Sequence, residues 1–217
     1  HILLKSPNGM QAELTWDPDA RGSTVSGADW DQFIADVAQK SRNLLERESL
    51  AHSVRRLERA EHVQRALFAI ANMASSELDM PDMLRGIHEI VGWLMYAENF
   101  FIALYEPERD SLRFLYFVDS VDQDTFSPDW EFTASELPNS LTLAMIRSGE
   151  SQMGPSEQVR DALGIVRDET QGPESEDWLG VPMNSVAGIR GAIVVQSYLP
   201  DTRYSEEDRA LLTYVAQ

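Results

Sequence analysis

A few histidine, glutamate and serine residues of this chain could do catalytic chemistry, but their spacing completes no motif. His88 and Glu89 begin like a zinc-protease motif, which needs a second histidine one helical turn later. Gly92 stands at that position, so the two metal-binding nitrogens are not available. The segment 149–153 (GESQM) begins like the nucleophile elbow of hydrolases and lacks its second glycine. We therefore predict no catalytic residues.

Three aspartates, Asp119, Asp122 and Asp124, resemble part of a calcium-binding loop. The required turn glycine is missing, and Thr133 stands where a bidentate glutamate should be. The chain also has no cysteine. This excludes disulfides, thiolate nucleophiles, iron–sulfur clusters and thioether attachment of a haem or bilin. The sequence thus predicts no metal, no cofactor and no enzyme.

Aromatic residues carry the more informative pattern. They alternate along two predicted strands and recur in the long connection that follows, and alternation places each set on one face of a sheet. One interpretation is a helix-covered core, and the other is a ligand pocket between the sheet and the connection. The candidate pocket residues from this pattern, with the small residue between two of them, are Phe101, Ala103, Tyr105, Phe114, Tyr116, Trp130, Phe132 and Trp178.

The composition is that of an acidic globular protein. Of 217 residues 43% are hydrophobic, and the formal net charge is −18. Nucleic acids and anionic membranes reward clustered lysine and arginine, so we expect neither as a partner. The longest apolar stretches, such as 91–97, are far shorter than the roughly 20 residues that cross a bilayer. We expect a cytoplasmic protein, and the ends at His1 and Gln217 suggest a fragment of a longer chain.

A long helix is predicted from Asp29 to about Ser75, where no proline or glycine interrupts the chain. Its apolar positions follow a heptad-like seam with one three-residue slip. The helix has a net positive charge between Arg42 and Arg65, in contrast to the acidic remainder. It is either a solvated, ion-paired helix or an intersubunit coiled coil. The candidate dimer-interface residues are Leu50, Val54, Leu57, Val63, Leu67 and Ile70.

Shorter elements are predicted before and after this helix in the sequence. Residues 1–28 predict a strand, a turn and a strand, either a separate hairpin or the end of an upstream segment. After a second helix capped near Asp79, strands are predicted at Asn99–Glu106 and Leu112–Val118. The acidic connection contains helices at Ser140–Arg147 and Ser156–Leu163 and a short strand at 150–153. Two strands, 178–184 and 189–198, precede a final helix that Ser205 caps.

The end of the chain carries the best resemblance to a known family. The segments 178–183 (WLGVPM) and 188–197 (GIRGAIVVQS) resemble the last two strands of GAF domains. The segment 204–212 (YSEEDRALL) resembles the aromatic-then-acidic start of their closing helix. A fourth similarity, at 141–149, matches the short helix before the family's fourth strand. The resemblance covers about residues 66–217.

This resemblance implies an α+β fold of the GAF/PAS type, with a central antiparallel sheet of five to six strands and helices packed on one face, preceded by a long helix. The implied organisation is 1–28 as an N-terminal segment, 29–65 as an amphipathic linker or coiled-coil helix, and 66–217 as a GAF domain truncated in its C-terminal helix. With strand alternation, the resemblance adds Gly180, Val195 and Ser197 to the candidate pocket.

The chain departs from the familiar ligand-binding types. Ser140 stands where the family often has glycine and Ser151 where it often has proline. The signature of cyclic-nucleotide-binding GAF domains is absent, and the lack of cysteine excludes bilin attachment and methionine sulfoxide reduction. The strands are most similar to GAF domains of bacterial proteins that end in a GGDEF diguanylate cyclase domain, with histidine kinases next.

Two hypotheses about function follow from these observations. In one, the chain is a sensory module of a signalling protein that binds a small ligand and controls a separate output domain through dimerising helices. The resemblance implies a diguanylate cyclase as that output. In the other, the chain is a structural homodimerisation module with no small-molecule ligand. We expect a homodimer in both cases.

Overall fold

In a computed structural model, the described residues are 2–5, 11–14, 27–74, 78–122, 126–167, 173–186 and 188–217. The chain divides into two compact units, His1–His62 and Val63–Gln217. No helix in the described parts of the chain is long and apolar enough to cross a membrane.

The first unit contains a two-stranded hairpin and most of the long helix. Strands β1 (Ile2–Lys5) and β2 (Gln11–Leu14) pair antiparallel, as the sequence predicts. Helix α1 (Gly27–Ala74) continues into the second unit. Within the first unit the predicted seam residues face solvent: Leu50 is 66% exposed, Val54 43% and Leu57 71%. Such a row of exposed aliphatic side chains is available for contact with another surface.

The second unit is built on one antiparallel sheet. Its elements follow the order helix, two strands, a connection with short helices, two strands and helix. The spatial order of the strands is β5-β4-β3-β8-β7-β6. The bounds are α2 (Met80–Leu94), β3 (Asn99–Glu106), β4 (Ser111–Val118), β5 (Glu131–Thr133), α3 (Leu141–Ser148), β6 (Gln152–Gly154), α4 (Ser156–Leu163), β7 (Asp177–Ser185), β8 (Gly188–Ser197) and α5 (Glu206–Val215).

Helices α2 and α5 cover one side of this sheet, which we call the closed face and which presents Phe100, Ile102, Leu179 and Val195. Local sequence sets where both helices begin. The Asp79 carboxylate accepts the Asp82 N–H at 2.9 Å, and Ser205 and Asp208 form a capping box at α5. Because the apolar stripes of both helices then point at the sheet, Val91 and Leu212 are fully buried there.

The opposite side, which we call the cavity face, presents Phe101, Ala103, Trp178 and Val194 and packs against α3 and α4. Both helices end at glycines in the left-handed conformation, Gly149 and Gly164. These turns let the chain reverse directly after each short helix. The α+β fold with a six-stranded antiparallel sheet and a preceding long helix is therefore confirmed. The helices pack on both faces of the sheet, and not on one as the resemblance implies, because α3 and α4 cover the cavity face.

Most predicted elements appear within one or two residues of their expected bounds. The exception is β5, which lies inside the predicted long connection. This three-residue strand pairs with β4 through Leu112 and Phe132. It is too short to show a period, so its signal is absent from the sequence pattern.

Candidate functional site

A cavity of about 280 Å³ opens between the cavity face of the sheet, α3, α4 and the chain that follows β4. This volume is close to the lower end of the range for small-molecule sites. An aromatic wall lies on one side and polar groups on the other. The lining residues include Phe101, Phe114, Phe117, Asp122, Phe126, Glu136, Leu137, Ser140, Leu141, Thr142, Ser156, Arg160, Glu174, Ser175, Trp178, Gln196 and Tyr198.

Four phenylalanines form the aromatic wall, and they come from two strands and one loop. The Phe101 and Phe114 ring centroids lie 5.6 Å apart in an edge-to-face arrangement. Phe126 lies 4.9 Å from Phe114 and 4.7 Å from Phe117. These separations lie within the favourable range for aromatic pairs. Phe132 extends the cluster behind Phe126, with ring centroids 5.6 Å apart.

A register shift in β4 decides which aromatic residues face the cavity. Ile102 pairs with Tyr116, but the next residue, Ala103, pairs with Phe114, so one residue of β4 is extra. A bulge of this kind interrupts the alternation of side chains. Phe114 and Phe117 therefore share the cavity face, whereas Tyr116 is on the closed face.

Tyr116 has a structural partner on the closed face. Its hydroxyl lies 2.9 Å from Nδ1 of His88, whose Nε2 lies 2.6 Å from the Ala97 carbonyl oxygen. A carbonyl only accepts, so Nε2 is the donor. In the tautomer with its proton on Nε2, Nδ1 accepts a hydrogen bond from the Tyr116 hydroxyl. The His88 ring also stacks on Phe100 at 4.7 Å. His88 thus ties α2 to the sheet.

Trp178 borders the cavity from β7, and Gly180 makes its position possible. A Cβ atom at Gly180 would lie 2.1 Å from the Trp178 indole, well inside van der Waals contact. The indole therefore occupies the space that any other residue at position 180 would take. Gly180 does not line the cavity itself, but the location of the Trp178 ring depends on it.

Gln196 and Tyr198 at the end of β8 form the polar side. The Gln196 amide donates to an Asp119 carboxylate oxygen at 2.7 Å and to the Tyr198 hydroxyl at 2.9 Å. Tyr198 in turn donates to the same Asp119 oxygen at 3.0 Å. Burial, together with the nearby Asp119 and Asp122 charges, raises the pKa of Tyr198 far above its ordinary value. Tyr198 therefore stays a neutral hydroxyl at physiological pH.

Arginine and serine side chains hold the α4 side of the cavity. Arg160 is only 13% exposed, and its Nε donates to Glu174 at 3.2 Å. Another of its nitrogens donates to the Asn139 carbonyl at 3.2 Å. The hydroxyls of Ser156 and Ser175 lie 2.8 Å apart in a buried hydrogen bond. These contacts tie α4 to the segment before β7.

The start of α3 supplies the rim of the cavity. Ser140 caps the helix by accepting the Leu143 N–H at 3.3 Å. Glu136 accepts the Thr133 hydroxyl at 2.6 Å and the Thr133 N–H at 2.8 Å. These bonds favour the ionised form and lower the pKa of Glu136. Its carboxylate therefore remains charged at the rim.

The structure brings only part of the predicted pocket set together. Of the sequence candidates, Phe101, Phe114 and Trp178 line the cavity, while Ala103 is buried beneath it. Trp130 is 54% exposed and does not line it. The remaining candidates away from the cavity lining are Tyr105, Tyr116, Phe132, Gly180, Val195 and Ser197.

Val195 and Ser197 stay outside the cavity because they follow the closed-face alternation of β8. Val195 packs in the closed-face cluster, and the Ser197 hydroxyl accepts the Leu199 N–H at 3.1 Å. Their neighbours Gln196 and Tyr198, one residue further along, are the ones that reach the cavity. The sequence pattern alone does not set which residues of this strand end face the cavity, because aliphatic residues occupy both faces of the buried β8.

Tyr105 lies at a second cavity of about 440 Å³, near the β3–β4 turn. Its hydroxyl donates to Asp110 at 2.8 Å, and Arg147 also pairs with Asp110. Arg147 and Tyr105 together lower the pKa of Asp110. Three arginines and three carboxylates line this second cavity, and it lacks an aromatic wall like that of the first.

The part of the chain that the structure describes contains no group of three side chains arranged to bind a metal ion. In the segment that resembles part of a calcium-binding loop, one Asp119 oxygen accepts the N–H groups of Val121 and Asp122 at 2.9 and 2.7 Å. Asp119 therefore organises the local turn. Asp124 lies outside the described residues.

No protein-family model matches this sequence, and no curated protein matches it. Solved structures do match. The GAF domain of a phosphoenolpyruvate-protein phosphotransferase from Coxiella burnetii has a TM-score of 0.57 and 12% identity, covering 72% of this chain and 89% of its own. The GAF domain of the Acinetobacter phosphotransferase has a TM-score of 0.54 and 16% identity, covering 72% and 87%.

A third match comes from a chemotaxis protein. Part of a methyl-accepting chemotaxis protein has a TM-score of 0.53 and 14% identity, covering 68% of this chain and 90% of its own. At these identities the likeness establishes the fold and not the activity. The second unit of this chain has the GAF fold.

Proposed function

We propose that this chain is a sensory GAF module of a bacterial signalling protein, in which a small molecule in the 280 Å³ cavity controls a separate output domain. The observation that carries the proposal is the cavity itself, with aromatic rings on one side and polar groups on the other. This combination is typical of small-molecule sites. The presence of the same fold in a phosphotransferase and a chemotaxis protein supports a regulatory role.

The cavity has a direct structural route to the terminal helix. Trp178 lines the cavity, and the preceding Asp177 accepts the Tyr204 N–H at 2.7 Å, just before α5. A ligand that favours one position of β7 therefore also biases the start of α5. Such coupling requires that the ligand bind one conformation of β7 and α5 more tightly than the other. We propose a diguanylate cyclase as the output domain, from the resemblance of the strands, and a cytoplasmic location.

Native mass spectrometry of the purified chain, with a denatured control, tests ligand binding. We expect an added small-molecule mass that disappears on denaturation. Phe117→Ala should lose this mass because Phe117 lines the cavity. Tyr116→Ala is the matched control, since the neighbouring residue is on the closed face. A wild-type chain without added mass, both as purified and after incubation with a bacterial small-molecule extract, would contradict the proposal.

A second candidate function, homodimerisation through α1, is favoured by the exposed Leu50, Val54 and Leu57. Burying such a row between two helices would remove apolar surface from water. Light scattering after size-exclusion chromatography would compare Leu57→Glu with His52→Glu, an exposed residue on another face of the helix. The first variant should be monomeric and the second dimeric. The same mass for both variants would exclude this seam as the dimer contact.

A further inference from the structure

Thr142 is a cavity-lining residue whose hydroxyl the fold leaves without a partner. It lies in the first turn of α3 and is only 5% exposed. Its hydroxyl makes no hydrogen bond within the part of the chain that the structure describes. Among those residues, the only fully enclosed side-chain oxygen or nitrogen that lacks a partner belongs to Asp177. The Thr142 oxygen is therefore not enclosed, and it opens on the cavity.

A threonine on another helix shows the contact that Thr142 does not make. The Thr213 hydroxyl on α5 donates to the Arg209 carbonyl one turn earlier, at 2.7 Å. This back-bond is the usual contact of a threonine inside a helix. A polar group that is nearly buried and has no partner costs free energy, and such groups are found at functional sites. The Thr142 proton is thus available to a molecule in the cavity.

Arg160 supplies a second donor close to the same helix turn. Its Nε donates to Glu174, and its Nη1 donates to the carbonyl of Asn139, three residues before Thr142. A guanidinium group carries five N–H donors on three nitrogens. The third nitrogen, Nη2, has no acceptor among the described residues. Because Arg160 lines the cavity and is only 13% exposed, a ligand is the acceptor that could reach Nη2 there.

Three serine hydroxyls add to the donors on the α3 and α4 side of the cavity. Ser140 accepts the Leu143 N–H, a bond that leaves its own proton unused. Ser156 and Ser175 share one hydrogen bond, which uses the proton of one of the two hydroxyls. All three serines line the cavity. This side therefore favours a ligand group that accepts hydrogen bonds.

The charged groups of the lining favour a ligand without net charge. Glu174 accepts from Arg160, Glu136 accepts the N–H and hydroxyl of Thr133, and Asp122 also interacts within the protein. A cationic ligand would compete with these partners for the carboxylates. An anionic ligand would enter a lining with three carboxylates and one guanidinium, a field that repels it. A neutral ligand avoids both costs.

The remainder of the lining fits a flat aromatic group. Phe114, Phe117 and Phe126 contact one another at the wall, and Trp178 borders the same space. Aromatic side chains pack favourably against other planar rings, by stacking or edge to face. The volume of about 280 Å³ limits the ligand to one ring or two fused rings with a small substituent.

From these observations we propose that the cavity binds a neutral aromatic molecule that carries a carbonyl group. The carbonyl oxygen would accept hydrogen bonds from the Thr142 hydroxyl and from Nη2 of Arg160. Such an oxygen has two lone pairs and no proton, which matches two donors. The ring would lie against the phenylalanine wall. This inference rests on the proposed ligand-binding function and narrows it to one chemical class.

Four probes built on one bicyclic ring system test the proposal by isothermal titration calorimetry. 1-Indanone carries a neutral carbonyl, indane lacks it, indane-1-carboxylate is an anion and 1-aminoindane is a cation. We expect 1-indanone to bind about tenfold more tightly than indane, a difference of about 1.4 kcal/mol. Hydrogen bonds to a buried hydroxyl and a guanidinium account for a difference of this size. Both charged probes should bind more weakly than 1-indanone.

The variant Thr142→Val tests the hydroxyl, because it removes this group and keeps nearly the same volume. It should weaken 1-indanone binding by several-fold and leave indane binding unchanged. It should also be at least as stable as the wild type, since the lost hydroxyl has no partner in the protein. Thr213→Val, the same change on α5 and away from the cavity lining, should alter the binding of neither probe.

The variant Arg160→Lys tests the guanidinium, because it keeps the positive charge beside Glu174 and removes Nη2. It should also weaken 1-indanone binding more than indane binding. Wild-type affinity of Thr142→Val for 1-indanone would overturn the role of the hydroxyl. Wild-type affinity of Arg160→Lys would overturn the role of Nη2.

The outcomes separate this inference from the proposed function. Binding of indane or of either charged probe as tightly as 1-indanone would overturn the neutral carbonyl class and leave a ligand-binding cavity. Absence of binding by all four probes would also overturn the class. The added mass in native spectra would then decide the proposed function by itself.

Discussion

The two faces of the central sheet use the same strands but differ in packing. On the closed face, Phe100 stacks on His88 and both are fixed by Tyr116. On the cavity face, aromatic rings from the neighbouring positions contact one another, yet leave space beside α3 and α4. Helices α2 and α5, of 15 and 10 residues, fill the closed face, whereas the two eight-residue helices α3 and α4 leave a cavity beside them.

Matched leucine truncations should give the largest difference between the faces. Leu179 is fully buried on the closed face, whereas Leu137 is partly buried and lines the cavity. Leu179→Ala should lower the free energy of unfolding by about 3 kcal/mol because it leaves a void in a packed core. Leu137→Ala should cost about 1 kcal/mol, since its neighbours already border open space. Equal losses in urea denaturation would contradict the distinction between the faces.

Two glycine-to-alanine substitutions compare how closely other side chains pack around Gly180 and around Gly92. Gly180→Ala should lower stability by about 1–3 kcal/mol, because the new methyl group must displace the Trp178 indole. The change should also alter tryptophan fluorescence. Gly92→Ala on α2 is the control: no atom lies within 4 Å of the added Cβ, so it should stabilise the helix by about 0.5–1 kcal/mol. Retention of wild-type stability and fluorescence in Gly180→Ala would show that the indole is not confined.

Two tyrosine hydroxyls distinguish structural from ligand-facing hydrogen bonds. Tyr116→Phe removes the bond to His88 and should cost about 1 kcal/mol of stability without affecting a bound ligand. Tyr198→Phe removes the donor to Asp119 at the cavity and should weaken binding of the small molecule that native mass spectrometry detects. Thermal unfolding and calorimetry of both variants provide the comparison. If Tyr116→Phe weakened ligand binding and Tyr198→Phe left it unchanged, the placement of the two hydroxyls would be wrong.

Two carboxyl groups should give pH dependences of opposite sign. Burial raises the pKa of Asp177, whose second oxygen has no hydrogen-bond partner among the described residues. The folded state therefore binds its proton more readily, and the contribution of Asp177 to stability falls as pH rises from its ordinary pKa through the raised one. Asp177→Asn should thus gain stability relative to wild type as pH increases towards neutrality.

Glu136 should behave in the opposite way at the cavity rim. Its lowered pKa means that the carboxylate stabilises the folded state above its ordinary pKa, and this contribution is lost as pH falls through the lowered value. Glu136→Gln should therefore be less stable than wild type at neutral pH and approach it in acid. Urea denaturation between pH 3 and 7 measures both carboxyl variants. The same slope for both would contradict these pKa directions.

Strand and helix order followed directly from the sequence, because caps, turns and alternation are local signals. Asp79 and Ser205 cap the helices that they were predicted to cap. The aromatic alternation of β3 also selected Phe101, which lines the cavity. What local periodicity could not give was the extra residue in β4, which moves Tyr116 to the closed face. A bulge is fixed by pairing with a distant strand.

Other cavity residues left no recognisable trace in the sequence. Phe126 lies in a loop with no period, and its contacts with Phe114 and Phe117 arise only after the chain folds back. Arg160 and Glu174 are 14 residues apart and meet through the placement of α4. The dimer seam along α1 stays a prediction because it concerns a second copy of the chain. The identity of the output domain stays a prediction because it concerns a separate domain.

Methyl NMR of leucine-labelled protein, titrated with the small molecule that native mass spectrometry recovers from the chain, tests the central claim most directly. The methyl groups of Leu137 and Leu141 line the cavity, whereas those of Leu179 and Leu212 are buried on the closed face. We predict saturable shifts at Leu137 and Leu141 and little change at Leu179 and Leu212. Unchanged spectra, or shifts concentrated at Leu179 and Leu212, would contradict a ligand site on the cavity face.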